Sequence, residues 1–414
     1  MSDYLYLLLF LVFVQSRDPE RWVVYADAPE SALRDMDFGD TSGRSHVFDI
    51  VQFLDRNPPA SRDESRQAFD LLLTLFQDTD ARAADEYFTP LSVSRVMARA
   101  LVGRGPVARR LHDPFCRTGE LLGAYLDAVA EQGGEAPGDI SGRVPGEGAQ
   151  RLARMNIKLH GAKRPHVVLG PRAPAQPADF DGLLGSVDAV ITNPPFGGPR
   201  AWRDAPPSYW RYGVTRSLEF DWIQYVVSCL APHGRAAVLM PAGAGFRGSA
   251  EREIRARMIE DGVVECVMAL PAQLFERTAI QTHIWFLRAP CGHPENVLFV
   301  DGSDLGTMAT RTRRTLPDAD AGRLVRAYTS WSGTGHGGTP GLSRAVGPEE
   351  ISAQDHRLDP SLYVRELLSS TAAFDDRAAA KNRLAELSVN VESLHARARA
   401  ADADAAEQLR RYGL

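Results

Sequence analysis

The chain has 414 residues, 44% hydrophobic and 24% charged, with a formal net charge of −6. That is enough for two or three domains with sizeable cores, and it excludes a mainly disordered chain, a collagen-like fibre and a disulfide mini-protein. Nucleic-acid binding through bulk positive charge is disfavoured too. Lys158, Lys163 and Lys381 are the only lysines, so nearly all of the 47 basic residues are arginine. Arginine suits bidentate phosphate contacts, although genomic base composition is the more ordinary cause of such a bias. Cys116, Cys229, Cys266 and Cys291 show no CxxC pair, which argues against a zinc site or a disulfide framework and fits a reducing cytoplasm.

Tyr4–Val14 (YLYLLLFLVFV) is an apolar run. No Lys or Arg precedes it and no small-residue cleavage site follows, unlike a signal segment. It is also short of the roughly 20 residues that span a bilayer, so a buried helix and no membrane contact are expected. The rest of residues 1–85 reads as a helical domain. Phe48, Val51, Phe53 and Leu54 form one apolar cluster; Phe69, Leu72, Leu73 and Phe76 follow helical spacing, with Asn57-Pro58-Pro59 as the break between them.

Residues 86–300 alternate short apolar runs with helical patterns. Strands are expected at Arg110–Asp113, His166–Leu169, Ala189–Thr192, Ala236–Met240, Val263–Leu270 and His283–Leu287, and helices at Glu219–Leu230 and Ala250–Glu260. This alternation predicts an α/β doubly wound parallel sheet, a fold that binds ligands at the carboxyl ends of its strands. Residues 301–361 read as a loop-rich connection, with Ser330–Leu342 as a loop and Arg311, Arg313 and Arg314 as a short basic cluster. Arg104, Arg109 and Arg110 precede a strand and are expected to cover the sheet edge. Residues 362–414 form a helical tail, in which Leu384, Leu387, Val391, Leu394, Ala398, Ala401 and Ala405 make a heptad seam. The seam suits a helix packed on its own domain, a partner helix or a second copy of the chain.

Asn193-Pro194-Pro195-Phe196 is the sharpest local feature. Two prolines stiffen the turn after a strand. A stiff turn can hold the Asn193 side-chain oxygen and the Pro194 carbonyl as two acceptors at fixed spacing. Those acceptors suit an amino group with two hydrogens, such as the exocyclic amine of adenine, and Phe196 can stack on a base taken out of the helix. An ordinary Asn-Pro turn is the bland alternative; the strand before it and the aromatic after it favour chemistry. No HExxH or ligand-like His spacing suggests a metal, and no GxSxG elbow suggests a hydrolase.

These residues resemble the gamma-type adenine-N6 DNA methyltransferases, most closely the modification subunit of type I restriction systems. Asp85-Glu86-Tyr87-Phe88-Thr89-Pro90 is similar to the family's (Y/F)(Y/F)TP segment, Asp113–Gly119 to its DPxCGTG loop, Leu152-Ala153-Arg154-Met155-Asn156 with His160-Gly161 to its LARMNxxLHG helix, and Asn193–Phe196 to its NPP(F/Y) turn. Similarity continues through Leu230–Leu287 and the closing Leu358–Val364. The resemblance implies a Rossmann-like S-adenosylmethionine-dependent methyltransferase domain, with an N-terminal helical domain and a C-terminal helical tail. Tyr87, Thr89, Pro90, Asp113, Thr118 and Gly119 would line the cofactor pocket, and Asn193, Pro194, Pro195 and Phe196 would form the catalytic turn. It further implies DNA as substrate and a specificity subunit docked partly through the C-terminal helix, with no metal.

Three positions depart from that pattern. Arg117 stands where the family has the first Gly of GTG. Val144 stands where it has a carboxylate for the ribose. Gly170-Pro171 stands where it has a Gly-Asp that reads the cofactor's adenine. Asp179, Asp181 and Glu147 are nearby candidates to replace the lost carboxylates. Two readings stay open: a working DNA methyltransferase with an adapted pocket, and a degenerate relative that binds nucleic acid or a partner without methyl transfer. An RNA, protein or small-molecule acceptor would suit the turn as well.

Overall fold

The computed structural model describes residues 2–36, 44–79, 88–170, 182–197, 210–275, 280–331, 337–371 and 388. The chain forms two compact units, Met1–Ser361 and Leu362–Leu414.

The first unit opens with five helices, α1 (Ser2–Arg17), α2 (Pro19–Asp27), α3 (Glu30–Asp35), α4 (Arg44–Arg56) and α5 (Arg62–Thr79). The helix α6 (Leu91–Val102) leads into β1 (Arg110–Asp113), α7 (Glu120–Glu131), β2 (Asp139–Val144), α8 (Glu147–Leu159), β3 (His166–Leu169), β4 (Val187–Thr192), α9 (Leu218–Cys229), β5 (Leu230–Pro241), α10 (Ala250–Glu260), β6 (Val264–Ala269), β7 (Thr282–Arg288) and β8 (Val297–Asp301). There follow a small hairpin, β9 (Thr307–Met308) and β10 (Arg314–Thr315), then α11 (Asp318–Thr329), β11 (Ser343–Val346), α12 (Pro348–Ala353) and α13 (Pro360–Thr371). The heptad seam 384–405 lies outside the described residues, Ser388 apart.

The apolar run at the start is α1, and it is buried on nearly every side. Leu7, Leu11 and Val14 pack with Trp22, Tyr25 and Val51 of α2 and α4. Leu9 and Val12 pack on the opposite side with Phe69 and Leu73 of α5 and with Leu152, Met155 and Leu159 of α8. A helix held between two layers must be apolar all round, which accounts for the uninterrupted run. Among the described residues no helix is long and apolar enough to cross a membrane. The cluster expected at Phe48, Val51, Phe53 and Leu54 holds only in part. Val47, Ile50 and Val51 are buried, whereas Phe48 and Phe53 are 53% and 64% exposed, because the helical repeat turns them off the inward stripe.

Nine strands form one sheet in the order β11-β8-β6-β7-β5-β4-β1-β2-β3. The pairs β1·β2, β1·β4, β2·β3, β4·β5 and β6·β8 are parallel. The pairs β5·β7, β6·β7 and β8·β11 are antiparallel. The sheet is therefore mixed, a correction to the wholly parallel one expected; apolar alternation reports burial and is blind to strand direction. All six expected strands are present. β2 escaped notice because Asp139, Ser141, Gly142 and Arg143 are poor strand formers. Gly142 is needed there: a Cβ would lie 2.8 Å from the Cys116 sulfur.

Residues 301–361 are not the loop-rich connection expected. They add β11 to the sheet edge and lay α11 on the core through Ala321, Leu324, Ala327 and Tyr328. Buried Glu265 on β6 anchors that helix. It accepts from Arg104 Nε (3.2 Å), Arg235 Nε (3.0 Å) and the Tyr328 hydroxyl (2.9 Å), and Arg104 also lies 5.2 Å over the Tyr328 ring. Arg104 is thus an internal cation rather than an edge cover. In the basic cluster, Arg314 is tied back to the Leu305 carbonyl (2.9 Å), while Arg311 and Arg313 are exposed.

The helical layer is fastened to the sheet unit by His160, which caps α8. Its ring nitrogens lie 2.9 Å from Asp127 on α7 and 3.2 Å from Asp70 on α5. Burial opposes its charge, but hydrogen bonds to the two aspartates outweigh this and raise its pKa to about 9. The charged form is favoured in the fold, so its stabilisation is complete below the unfolded value near 6.5 and is lost as pH rises through about 9. Over that window the wild type should lose ~3 kcal/mol that His160→Gln does not. Urea unfolding of both proteins at pH 6.5 and 9 checks this, and equal losses would refute it.

Candidate active site

β1 and β4 run side by side in parallel, with Leu111 opposite Ala189 and His112 opposite Val190. Their carboxyl ends therefore open on the same edge, and the two polar turns foreseen from the sequence emerge there together.

The first turn, Asp113–Gly119, is braced from every side. Asp113 Oδ1 accepts from the Phe115 backbone N–H (3.0 Å), an Asx turn. The Cys116 N–H donates to the Arg143 carbonyl at the neighbouring β2 (2.8 Å). Asn156 of α8 donates Nδ2–H to the Thr118 carbonyl (3.0 Å), which gives the LARMN segment its local role. Gly119 has a φ of 79°, and a Cβ there would meet Ile157 of α8 at 2.9 Å. Only glycine meets both demands. Burial pushes the Asp113 carboxyl up to about 7, and its Oδ2 has no hydrogen-bond partner among the described residues.

The second turn begins with Asn193, 2% exposed. Its Nδ2 donates to Thr89 Oγ1 (3.0 Å). The Thr89 hydroxyl donates to Glu120 Oε1 (3.4 Å), and the Thr118 hydroxyl donates to Glu120 Oε2 (2.9 Å). Pro90 is the N-cap of α6. Pro194 is buried, Pro195 is half-buried, and Phe196 packs against the main core while part of its ring stays exposed.

Arg117 joins the two turns. It is 3% exposed, and its Nη1 donates to the Asn193 carbonyl (2.6 Å) while the guanidinium lies 4.7 Å over the Phe115 ring. Its φ of 45° is the left-handed conformation usual for glycine. The side chain therefore fills the space between the turns that a glycine would leave open.

Thr89, Asp113, Thr118, Gly119, Asn193 and Pro194 are thus gathered at one edge. Val144 ends β2, buried and apolar. Glu147, three residues on, is exposed at the first position of α8. Tyr87, Pro171, Asp179 and Asp181 lie outside the described residues. Sequence reading missed Glu120, whose signal was an acidic residue in the first turn of a helix behind a Thr-Gly pair. It also missed Cys291, His293 and Glu295, whose potential ligand atoms lie within 4.8 Å of one another on the turn between β7 and β8. The signal was a CxHxE spacing. Arg288 Nη2 sits 3.6 Å from the Glu295 carboxylate, already placing a cation there.

The donor set suits S-adenosylmethionine at one end: the buried Asp113 carboxyl at the loop keeps one oxygen, Oδ2, with no hydrogen-bond partner among the described residues. The residues described for the ribose end contribute no buried carboxylate.

A family model for the N-6 DNA methylases matches residues 60–370. The type I restriction enzyme HindI methylase subunit of Haemophilus influenzae is 27% identical over 314 residues, covering 73% of this chain and 69% of that protein. Against other type I methylase subunits the matched share of their length is 61%, 56% and 51%. Among solved structures, a type I restriction-modification methyltransferase subunit from Streptococcus thermophilus superposes with a TM-score of 0.63 at 24% identity, covering 77% of this chain and 68% of that one. A putative class I S-adenosylmethionine-dependent methyltransferase from Listeria monocytogenes gives 0.53 at 18% identity, covering 79% and 98%. With three quarters of its length matched by the family model, the chain belongs to the N-6 DNA methylase family.

Proposed function

We propose that this chain transfers a methyl group from S-adenosylmethionine to the N6 amine of adenine in DNA, as the modification subunit of a restriction or defence system. One observation carries the reading: the Asn193 amide is buried and held at the carboxyl end of β4, beside the loop that follows β1. S-adenosylmethionine supplies an electrophilic methyl group. The chain supplies position. The Asn193 side-chain oxygen and the Pro194 carbonyl accept the two N–H groups of the amine and draw its lone pair out of the ring. Phe196 stacks on the extruded base. Asp113 faces a cationic group of the cofactor, with Tyr87, Thr89, Pro90, Thr118 and Gly119 around it.

A net charge of −6 makes tight unaided DNA binding a matter of local surface. Arg17, Arg62, Arg66, Arg95 and Arg99 line a cavity of about 520 Å³ beside His160. Arg66 pairs with Asp63 and Asp127, and Arg99 with Glu131. Arg17, Arg62 and Arg95 carry no ion pair among the described residues. Arg95 is four residues, ~6 Å of helix rise, from the start of α6, which follows the Thr89-Pro90 segment. The groove is therefore suited to phosphodiesters flanking the target. A specificity subunit would read the sequence, docking through the tail 362–414, whose seam also suits a homodimer.

A second reading, a methyltransferase-fold subunit that binds nucleic acid or a partner without methyl transfer, is favoured by Arg117 and Val144. Isothermal titration with S-adenosylmethionine separates the two. The first reading expects binding, and Asn193→Ala should then retain it within a few-fold while losing adenine methylation by at least ~100-fold. No heat at millimolar cofactor would leave only the second.

The Asp113 carboxyl is mostly protonated below about pH 7, and only its charged form attracts a cation. Cofactor affinity should therefore rise up to ~10-fold per pH unit from pH 5 towards 7 and level off above. Asp113→Asn should flatten the profile; a wild-type profile without that rise refutes the pairing. For the groove, Arg62→Glu with Arg95→Glu should weaken binding of duplex DNA and reduce the slope of log K against log salt by ~1 per lost contact. Unchanged slopes in a fluorescence-anisotropy titration would remove the groove from the interface.

A further inference from the structure

We propose that Glu120 is a positioning residue which, acting through Thr89, decides which end of the Asn193 amide faces the target amine. The inference rests on the reading of Asn193 as an acceptor for that amine, and it follows from counting protons. The Glu120 carboxylate can only accept hydrogen bonds. Its two oxygens take the Thr118 hydroxyl at 2.9 Å and the Thr89 hydroxyl at 3.4 Å. A hydroxyl has one proton, and Thr89 directs its own to Glu120. The Thr89 oxygen can then only accept from Asn193, so the amide atom 3.0 Å away is Nδ2. Oδ1 lies on the other branch of the amide. The backbone is anchored separately, since Arg117 holds the Asn193 carbonyl at 2.6 Å. The Thr89 contact therefore bears on the half-turn that exchanges Nδ2 and Oδ1.

That half-turn decides the chemistry. With Oδ1 outward the amide accepts from an amine. With Nδ2 outward it presents a donor to a donor, and the lone pair of the amine is no longer drawn out. Take the carboxylate away and the Thr89 proton is released to donate to Oδ1, which stabilises the wrong orientation. Glu120 also stands at the first position of α7, where any acid is favoured by the helix dipole. A purely helix-stabilising role predicts a small loss of stability and no change in turnover, so the two roles are separable.

Four single variants in the full-length protein test this. Glu120→Gln keeps the size but adds a donor, and Thr89→Val keeps the shape but removes the hydroxyl. Both should lower kcat for adenine methylation ~10–100-fold, and in Glu120→Gln the cofactor Kd by isothermal titration should stay within about threefold. Thr89→Ser, which keeps the hydroxyl, and Glu120→Asp, which keeps an acceptor-only group, should each lose several-fold less kcat than Thr89→Val and Glu120→Gln. Wild-type kcat in Glu120→Gln, or equal losses in Thr89→Ser and Thr89→Val, overturns the inference.

A second readout needs no turnover. In protein labelled with 15N-asparagine, the side-chain NH2 signals of Asn193, assigned by their absence in Asn193→Asp, should shift in Glu120→Gln and Thr89→Val and hold in Thr89→Ser. A wild type that methylates nothing yet shows this pattern would remove the methyltransferase reading and leave the orientation assignment intact. Signals that ignore all the variants would remove the assignment itself.

Discussion

The site depends on one pairing, the parallel ladder between β1 and β4. Parallel neighbours end on the same edge of a sheet. That is why Asp113 and Asn193, eighty residues apart in the chain, lie at the mouths of adjacent strands. Every later contact presupposes this adjacency: Arg117 to the Asn193 carbonyl, Asn193 to Thr89, and Thr89 to Glu120. The order of the strands matters as much as their direction. β2 and β3 lie beyond β1, and β5 lies beyond β4, so both turns open away from the edges of the sheet. An edge strand would leave its turn wet and its side chains free to move.

Burying this many polar groups is destabilising unless each finds a partner. Asn193, Thr89, Thr118, Asn156 and Arg117 are all nearly inaccessible. They are held chiefly by one another and by backbone groups, so the site is also a structural knot. α8 shows how far this reaches. One side of the helix packs Leu152, Met155 and Leu159 against α1 and α5, another packs Ala153 and Ile157 into the sheet core, and Asn156 clamps the loop that follows β1. Its last turn ends in His160, bound to both layers. The N-terminal helices thereby brace the helix whose Asn156 holds the loop.

Much of this was legible. Short apolar runs mark six of the strands, and the polar, turn-prone sequences after β1 and β4 mark the two turns that meet at one sheet edge. The apolar α1 was legible as a buried helix from its unbroken apolar run. What escaped had physical reasons. β2 is held by its neighbours rather than by its own composition, with a glycine where Cys116 presses close. α11 was hidden in a polar stretch because its polar anchor is a buried carboxylate, Glu265 on β6, 63 residues before Tyr328 in the chain. Strand direction leaves no mark on periodicity, so β7 and β11 could not be oriented. Glu120 was passed over because its role lies in a chain of three side chains from separate elements, a relation no local pattern records.

Arg117 shows how a buried cation in a left-handed backbone conformation can be accommodated. A non-glycine residue in the left-handed region costs about 1 kcal/mol, and a buried guanidinium costs more unless it is bonded. Here both are offset locally. The charge meets the Asn193 carbonyl and the face of Phe115, and Phe115 itself is set edge-on against Trp222 of α9. The same arrangement has a consequence for the site. The loop after β1 and the turn after β4 are joined by a hydrogen bond, so displacing the Arg117 side chain would also release the backbone carbonyl of Asn193. The positions of the two turns are coupled through that contact.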